Sequence, residues 1–308
     1  MQNTELSKQF QTTRPLRGVL LVLAAVLVFA CMDSTGKFLF ENYPIPMVQS
    51  ARYVVNLALV AGVFGPREGK ALFKVERTAL VWLRGLSLAF GTLTASLALK
   101  SMPVAETTAL IYLAPFGVLL LSGPLLGERV RWFGWAATAV AFLGLICIVR
   151  PGSGLAPMGI FWALLCACFT VVYHTLSRLL AKTETTPALL FYTALAGTIF
   201  FFVQLPWNFG AWPQSTLDIS LFIAIGCLGM LGHFLFTAAY REAPLSLLTP
   251  VNYMHLAWAV LLGWLIFNHV PDALTFIGIA LVALSGAGNA LLSHFSNSQI
   301  TALEPEEV

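Results

Sequence analysis

A membrane-length apolar run occurs twice in this chain, and the repetition constrains the fold more than any single motif. The first copy, Pro103 to Arg129, reads PVAETTALIYLAPFGVLLLSGPLLGER, with Pro103 and Glu106 at one end and Glu128 and Arg129 at the other. The second, Pro244 to Val270, lies 141 residues on; it keeps Pro103 as Pro244, Thr108 as Thr249, Tyr112 as Tyr253, and Leu120 and Leu121 as Leu261 and Leu262. The same offset relates Gly18 to Gly159, Lys37 to Arg178, Pro46 to Pro187, Gly85 to Gly226, Gly91 to Gly232 and Lys100 to Arg241. One ungapped register therefore serves four consecutive runs. Only the fifth run of each half slips, where Gly134 aligns with Gly278.

About 20 apolar residues cross the hydrocarbon core of a bilayer. Read with that window, the sequence gives ten spans, roughly 18–38, 46–64, 78–99, 104–124, 131–149, 157–180, 188–206, 217–239, 245–267 and 273–292. Pro44 and Pro46, Pro66, Pro151, Pro206, Pro213 and Pro271 fall in or beside the connections as breakers. The first run follows Arg14 and Arg17 and could be mistaken for a cleaved signal. It is read as a span because Phe29 fits a cleavage site poorly and the run has its own partner at the common offset. The expected fold is an all-α membrane protein of ten transmembrane helices, with repeats at 18–150 and 157–292 between tails 1–17 and 293–308.

Composition agrees. The chain is 58% hydrophobic and 10% charged, against about 25% charged in soluble domains. A net charge of +3 is too small to suggest nucleic acid. The five cysteines sit inside apolar runs without CxxC spacing, which suggests neither a disulfide framework nor a zinc site.

Lys and Arg placement sets the orientation. With a cytoplasmic N-terminus, the inner segments hold Arg14, Arg17, Arg67, Lys70, Lys74, Arg77, Arg129 and Lys182, whereas the outer loops hold only Lys100 and Arg150. Both termini are expected in the cytoplasm. Five spans per half is odd, so the second half enters from the opposite side as an inverted repeat. That plan recurs in secondary transporters, with the substrate site near the midplane between the halves.

A central Asp, Lys or Arg costs about 2.5–3.5 kcal/mol to insert and usually faces a cavity or a partner. Asp33 and Lys37 are four apart on one helix face and can pair, and Arg52 enters at the same outer depth; the plainer alternative is a self-neutralising cluster with Lys37 snorkelling to the surface. The counterpart of Asp33 is His174. Glu106, in the first turn after Pro103, complements the helix dipole. Tyr112, Asn252, Tyr253, His255 and Trp258 are expected to line the cavity, because Tyr and Trp otherwise prefer the membrane interfaces. The candidate substrate-binding residues are thus Asp33, Lys37, Arg52, Tyr112, His174, Asn252, Tyr253, His255 and Trp258. Gly134, Ala137, Ala141 and Gly144 form a small-residue stripe suited to helix packing or to a homodimer.

No nucleotide-binding loop, HExxH or GxSxG spacing occurs. The sequence therefore calls for no catalytic residue, metal or cofactor; its partners are a small-molecule substrate and the lipid bilayer. A membrane-embedded lipid-handling enzyme is disfavoured by the dispersal of the five histidines.

Asp33 to Lys37, Arg52-Tyr53, Met102-Pro103-Val104-Ala105-Glu106, Ala114-Pro115, Gly127-Glu128-Arg129 and Arg150-Pro151-Gly152 together resemble the EamA-type branch of the drug/metabolite transporter superfamily. The resemblance covers about residues 18–292. It implies ten helices from a duplicated five-helix unit and secondary transport of small organic metabolites, amino-acid-like or other, outward across the inner membrane by alternating access. Some relatives with a similar first half import riboflavin or S-adenosylmethionine, so the resemblance carries a vitamin or nucleoside-type importer as its alternative. The second half departs from the pattern, with Asn268 and His269 where the family often has Gly and Glu.

Overall fold

The computed structural model describes residues 15–117, 132–150, 153–180, 183–242, 248 and 251–303. These fold into ten principal helices and, among the described residues, no strand. The first half contains α1 (Pro15–Asn42), α2 (Ile45–Glu68), α3 (Thr78–Ser101), α4 (Val104–Ile111) and α5 (Trp132–Val149). The second contains α6 (Pro157–Leu180), α7 (Thr186–Asn208), α8 (Thr216–Glu242), α9 (Met254–Phe267) and α10 (Ala273–Leu303). Seven stretches are long and apolar enough to cross a membrane by themselves; α9 and the start of α10 are shorter apolar helices. The chain is a multi-pass membrane protein.

Helix boundaries follow local chemistry. Pro46 and Pro187 are equivalents, each near the start of the second helix of its half, where a missing N–H removes no intrahelical bond. Thr185 also caps α7 through the Ala188 N–H. Pro66 and Pro206, expected as breakers, lie inside the last turns of α2 and α7, which run on to Glu68 and Asn208. A proline so near the end frees few carbonyls. The sequence reading ended the last span at 292, but α10 continues to Leu303, since no Pro or Gly stands between Leu292 and Leu303.

The fourth span of each half is interrupted. After Ile111 the chain turns at Tyr112 and Leu113 before resuming helix at Ala114. Pro115 has no N–H for the Ile111 carbonyl and its ring crowds that turn. In the second half the turn falls on Tyr253, the equivalent residue. Here Leu256 N–H bonds Tyr253 O at 3.0 Å. Glu128 and Arg129 lie outside the described residues.

The halves interlock, and the most extensive helix contacts run between them: α3 with α6, and its counterpart α8 with α1. Next, α5 and α2 pack on their own counterparts α10 and α7, followed by α3 with α7 and α8 with α2, again a related pair, while α4 packs on its counterpart α9. The details repeat too. A Cβ on Gly85 would meet Ala196 and Thr193 of α7, and one on Gly226 would meet Val55 and Arg52 of α2, each pair being related by the 141-residue offset. The fifth-helix stripe is used within the chain: Gly134, Ala141 and Gly144 are buried, and Gly144 crosses Gly278 backbone to backbone.

Side-chain links sort the connections onto two faces. Arg17 pairs with Glu242, and Glu184 accepts the Glu76 and Arg77 N–H groups on one face. Tyr43 bonds Asp218, Arg150 bonds Asp272 and Glu106 meets His269 on the other. Among the described residues, the connections joined by these links alternate in face along the chain, as spanning helices require.

Candidate functional site

Between the halves lies a cavity of about 190 Å³. Its wall is built from α1, α2 and α3 with Ile111 of α4, closed by Cys166, Thr170 and Tyr173 of α6 and Ile225 of α8. The lining mixes apolar faces with Gln49, Ser87, Thr92, Ser96 and Thr170, and it holds two charged residues, Asp33 and Arg52. Asp33 is nine residues from the end of α1 and Arg52 seven from the start of α2. At 1.5 Å per residue each lies about 10–14 Å below the same face, well inside a hydrocarbon core of about 30 Å.

Arg52 is held from one side. Its Nη1 donates to Gln49 Oε1 at 3.2 Å, and Gln49 in turn donates to Ser96 Oγ at 2.8 Å. Its guanidinium lies 5.4 Å from the Tyr53 ring centroid. Arg52 Nε is buried and has no hydrogen-bond partner among the described residues. A cationic donor so buried is costly unless something else supplies an acceptor.

Asp33 faces the second half. Its Oδ2 is 3.5 Å from His255 Nε2, and His255 Nδ1 lies 3.1 Å from Tyr112 Oη. Tyr112 Oη donates to the Asn252 carbonyl at 3.2 Å. The Leu256 N–H, which a regular helix would give to Asn252, goes to Tyr253 O, so the hydroxyl from the first half supplies the carbonyl exposed by the second half's interruption. Asp33, His255, Tyr112 and Asn252 are therefore one connected set across both halves.

The other sequence candidates are placed differently. Lys37 does not reach Asp33; its Nζ donates to Leu99 O at 2.7 Å and Met102 O at 2.8 Å, capping the end of α3. An ammonium finds two carbonyls there that no later N–H satisfies, and the helix dipole favours it. Tyr112, Asn252 and Tyr253 stand behind the cavity wall, at the junction of the halves, rather than on its lining. Trp258 packs against the apolar group of Val22, Val26, Ala239 and Leu248. His174 is exposed on α6 beside Tyr173. Glu106 is buried in the first turn of α4, where Oε1 meets His269 Nε2 at 2.8 Å. Asn268 adopts the left-handed conformation, φ 54°, that brings His269 back toward it; Asn tolerates this region better than most non-glycine residues.

Arg84 was passed over in the sequence reading. It is 6% exposed and engages four partners: Ser177 Oγ at 2.7 Å, Thr193 Oγ1 at 2.6 Å, Leu189 O at 3.2 Å and Tyr173 Oη at 2.9 Å. It thus ties α3 to α6 and α7 and fixes Tyr173, which lines the cavity. The signal was present, since an Arg inside an apolar run marks an internal site; its closeness to the basic connection 65–77 hid it.

Ten helices interlocked in two related halves around a polar internal cavity define a membrane transporter. The model of the EamA-like transporter family matches residues 16–150 and again 157–289, and the chain belongs to that family. It is 27% identical over 279 residues to a pseudopaline exporter of Pseudomonas aeruginosa, covering 87% of this chain and 94% of that protein. It is 25% identical over 268 residues to an S-adenosylmethionine uptake transporter of Rickettsia prowazekii, covering 87% and 90%. A riboflavin transporter of Rhizobium johnstonii is 27% identical over 282 residues, covering 88% and 90%. A solved structure titled only as the crystal structure of a protein shares the fold, with a TM-score of 0.64 at 22% identity, covering 90% of this chain and 98% of that one.

Proposed function

We propose that the chain carries small organic metabolites bearing both a carboxylate and an amine, amino-acid-like in that sense, across the inner membrane by alternating access. The observation that carries this reading is the cavity between the halves with Asp33 and Arg52 on its wall and an Arg52 Nε that has no hydrogen-bond partner among the described residues. A substrate carboxylate would supply the missing acceptor, and a substrate ammonium would find Asp33. The cavity is smaller than the roughly 300–1,000 Å³ of drug-sized pockets, which favours a small occupant. Rocking of the two halves would open it alternately to each face. The face carrying Arg17, Arg67, Lys70 and Arg77 is assigned to the cytoplasm by its positive charge, with both termini on that side.

The named relatives include an exporter and an uptake transporter, and export is the direction proposed. The purified protein in liposomes, tested by counterflow with labelled amino acids, riboflavin and S-adenosylmethionine, should accumulate amino-acid-like compounds. Accumulation of riboflavin alone would overturn the zwitterion reading. Metabolites compared inside and outside cells with and without the gene read the direction.

A further inference from the structure

We propose that the groove between α7 and α8 binds one glycerophospholipid with a singly negative headgroup, its phosphate at Arg67 and one acyl chain running inward along α2. The groove follows from the packing. Both α7 and α8 pack on α2 rather than extensively on each other. They are pinned to it at one level: a Cβ on Gly197 would meet the Tyr53 ring, and one on Gly226 would meet Val55. On the Arg67 side of that level a cavity of about 330 Å³ opens among the three helices.

Its lining is sorted by depth. Arg67, Thr186 and Glu242 stand at the mouth, in the last turn of α2, at the first residue of α7 and at the last residue of α8. Phe64 and Leu190 lie one turn further in, and Phe234 and Met230 are eight and twelve residues before Glu242. At 1.5 Å per residue these last two are about 12 and 18 Å below the mouth, so the apolar wall reaches the middle of a hydrocarbon core of about 30 Å. Phe234 is 52% exposed, which leaves the wall open sideways to lipid. A polar mouth at the surface and an apolar channel half a bilayer deep match the two parts of one leaflet's phospholipid. A free phosphate would use the mouth and leave the apolar wall empty.

Charge selects among phospholipids. At the mouth Glu242 is neutralised by Arg17 at 3.2 Å, and Glu68 and Lys70, close to Arg67 in the chain, offset each other. Arg67 is then the surplus cation; it is exposed and enters no ion pair among the described residues. Thr186, opening α7, adds a hydroxyl and the positive end of the helix dipole. Basic pockets between transmembrane helices hold anionic headgroups in this way. One surplus positive charge is matched by one net negative charge, as in phosphatidylglycerol, and left unmatched by the zwitterionic phosphatidylcholine.

Native mass spectrometry of the full chain tests this, with delipidated protein in detergent titrated separately with phosphatidylglycerol and phosphatidylcholine of identical acyl chains. The wild type should take up one phosphatidylglycerol first, about fivefold more tightly than phosphatidylcholine, the worth of one basic residue at an anionic lipid surface. Arg67→Gln should bring the two lipids level, while Lys70→Gln should keep the preference. Leu190→Trp, which fills the apolar wall, should weaken both lipids; Ala238→Leu serves if that variant does not fold. Equal binding of the two lipids by the wild type overturns the proposal, as does a preference that survives Arg67→Gln or is lost equally in Lys70→Gln, or lipid binding unchanged in Leu190→Trp and Ala238→Leu. Displacement of phosphatidylglycerol by inorganic phosphate would assign the mouth to a free anion, and a lipid-free dimer that Leu190→Trp abolishes would assign the groove to a second copy of the chain; either result overturns it too.

Discussion

Tyr112 and Tyr253, 141 positions apart and equivalent in the two halves, touch each other, with ring centroids 5.4 Å apart and planes at 65°. Equivalent residues of a duplicated chain can meet only on the axis that relates the copies. Each marks the interruption of its own helix. The axis therefore passes through the two broken helices, where backbone groups are freed from regular pairing and the Tyr112 hydroxyl reaches the Asn252 carbonyl at 3.2 Å. Helix interruptions at the interface of inverted repeats are a recurrent way to build a transporter's site near the midplane.

The same axis predicts matched effects at Gly85 and Gly226. A Cβ on Gly85 would stand 2.8 Å from Ala196 Cβ, and one on Gly226 2.5 Å from Val55 Cβ. Overpacking of this kind costs about 1–3 kcal/mol, so Gly85→Ala and Gly226→Ala should each lower thermal stability. Moving the glycine to the facing helix, as Gly85→Ala with Ala196→Gly or Gly226→Ala with Val55→Gly, should recover part of the loss. Thermal unfolding in detergent checks it, and no recovery in either pair would contradict the close approach.

Much of this was legible in the sequence, and the parts that were not share a cause. Apolar length gave the spans, and the 141-residue offset gave the pairing of Gly85 with Gly226 and Tyr112 with Tyr253, since both are properties of the chain read along itself. Which polar side chain turns toward which helix depends on rotation about each axis. Lys37 is four residues from Asp33, yet it is drawn to the end of α3, whose position no local spacing encodes. Likewise the aromatic set expected on the cavity packs where the halves meet. The wall is instead made by small hydroxyl residues, Ser87, Thr92 and Ser96, whose polarity is hidden in an apolar run because Thr92 and Ser96, like Ser87, lie among Leu and Ala.

Lys37 and Arg52 should separate stability from affinity. Lys37 satisfies two carbonyls at the end of α3, and hydrogen bonds to a charged group are each worth about 1.5–3 kcal/mol. Lys37→Met should therefore lower the unfolding temperature while leaving the apparent Michaelis constant near that of wild type. Arg52→Gln should show the opposite pattern, a stable protein whose Michaelis constant for carboxylate-bearing substrates rises about tenfold or more, about 1.4 kcal/mol of lost binding. Transport kinetics beside thermal unfolding of both variants decide it; an unstable Arg52→Gln with normal affinity would make that residue structural.

Arg84 should tolerate no substitution, lysine included. Its guanidinium serves acceptors on two other helices at once, and an ammonium lacks that planar fork. Each buried acceptor left bare costs about 1–3 kcal/mol. Arg84→Lys and Arg84→Met should both be strongly destabilised, whereas Thr193→Val, which removes one acceptor alone, should cost less. A Lys variant as stable as wild type would show that charge rather than geometry matters here.

Asp272 supplies a pH-dependent contact outside the spans. The Thr275 N–H, bonded at 2.8 Å, and Arg150 together hold its carboxyl below the ordinary carboxylate range. A depressed folded-state value means that its contribution is present above the unfolded value, about 3.9, and is lost as pH falls through the lower, folded one. Asp272→Asn should thus lower the unfolding temperature at neutral pH, and the difference from wild type should vanish in strong acid. A difference that persists there would assign the effect to the cap hydrogen bond, not the charge.

The last prediction concerns sidedness. The links between Tyr43 and Asp218 and between Arg17 and Glu242 place the connection 209–215 on the face opposite the one that holds Arg67, Lys70 and Arg77. The connection 209–215 carries no Lys or Arg, and Trp207 and Trp212 beside and within it are exposed, as aromatic residues at a membrane interface are. A cysteine placed at Gln214 should therefore react with an impermeant thiol reagent in intact cells, while one placed at Lys70 should react only after the membrane is opened. Because the five native cysteines lie within helices, a cysteine-free background removes their contribution. Labelling at Lys70 but not at Gln214 in intact cells would invert the orientation and with it the proposed direction of transport; labelling at both would mean that the two connections do not lie on opposite faces, and the inverted arrangement of the halves would have to be abandoned.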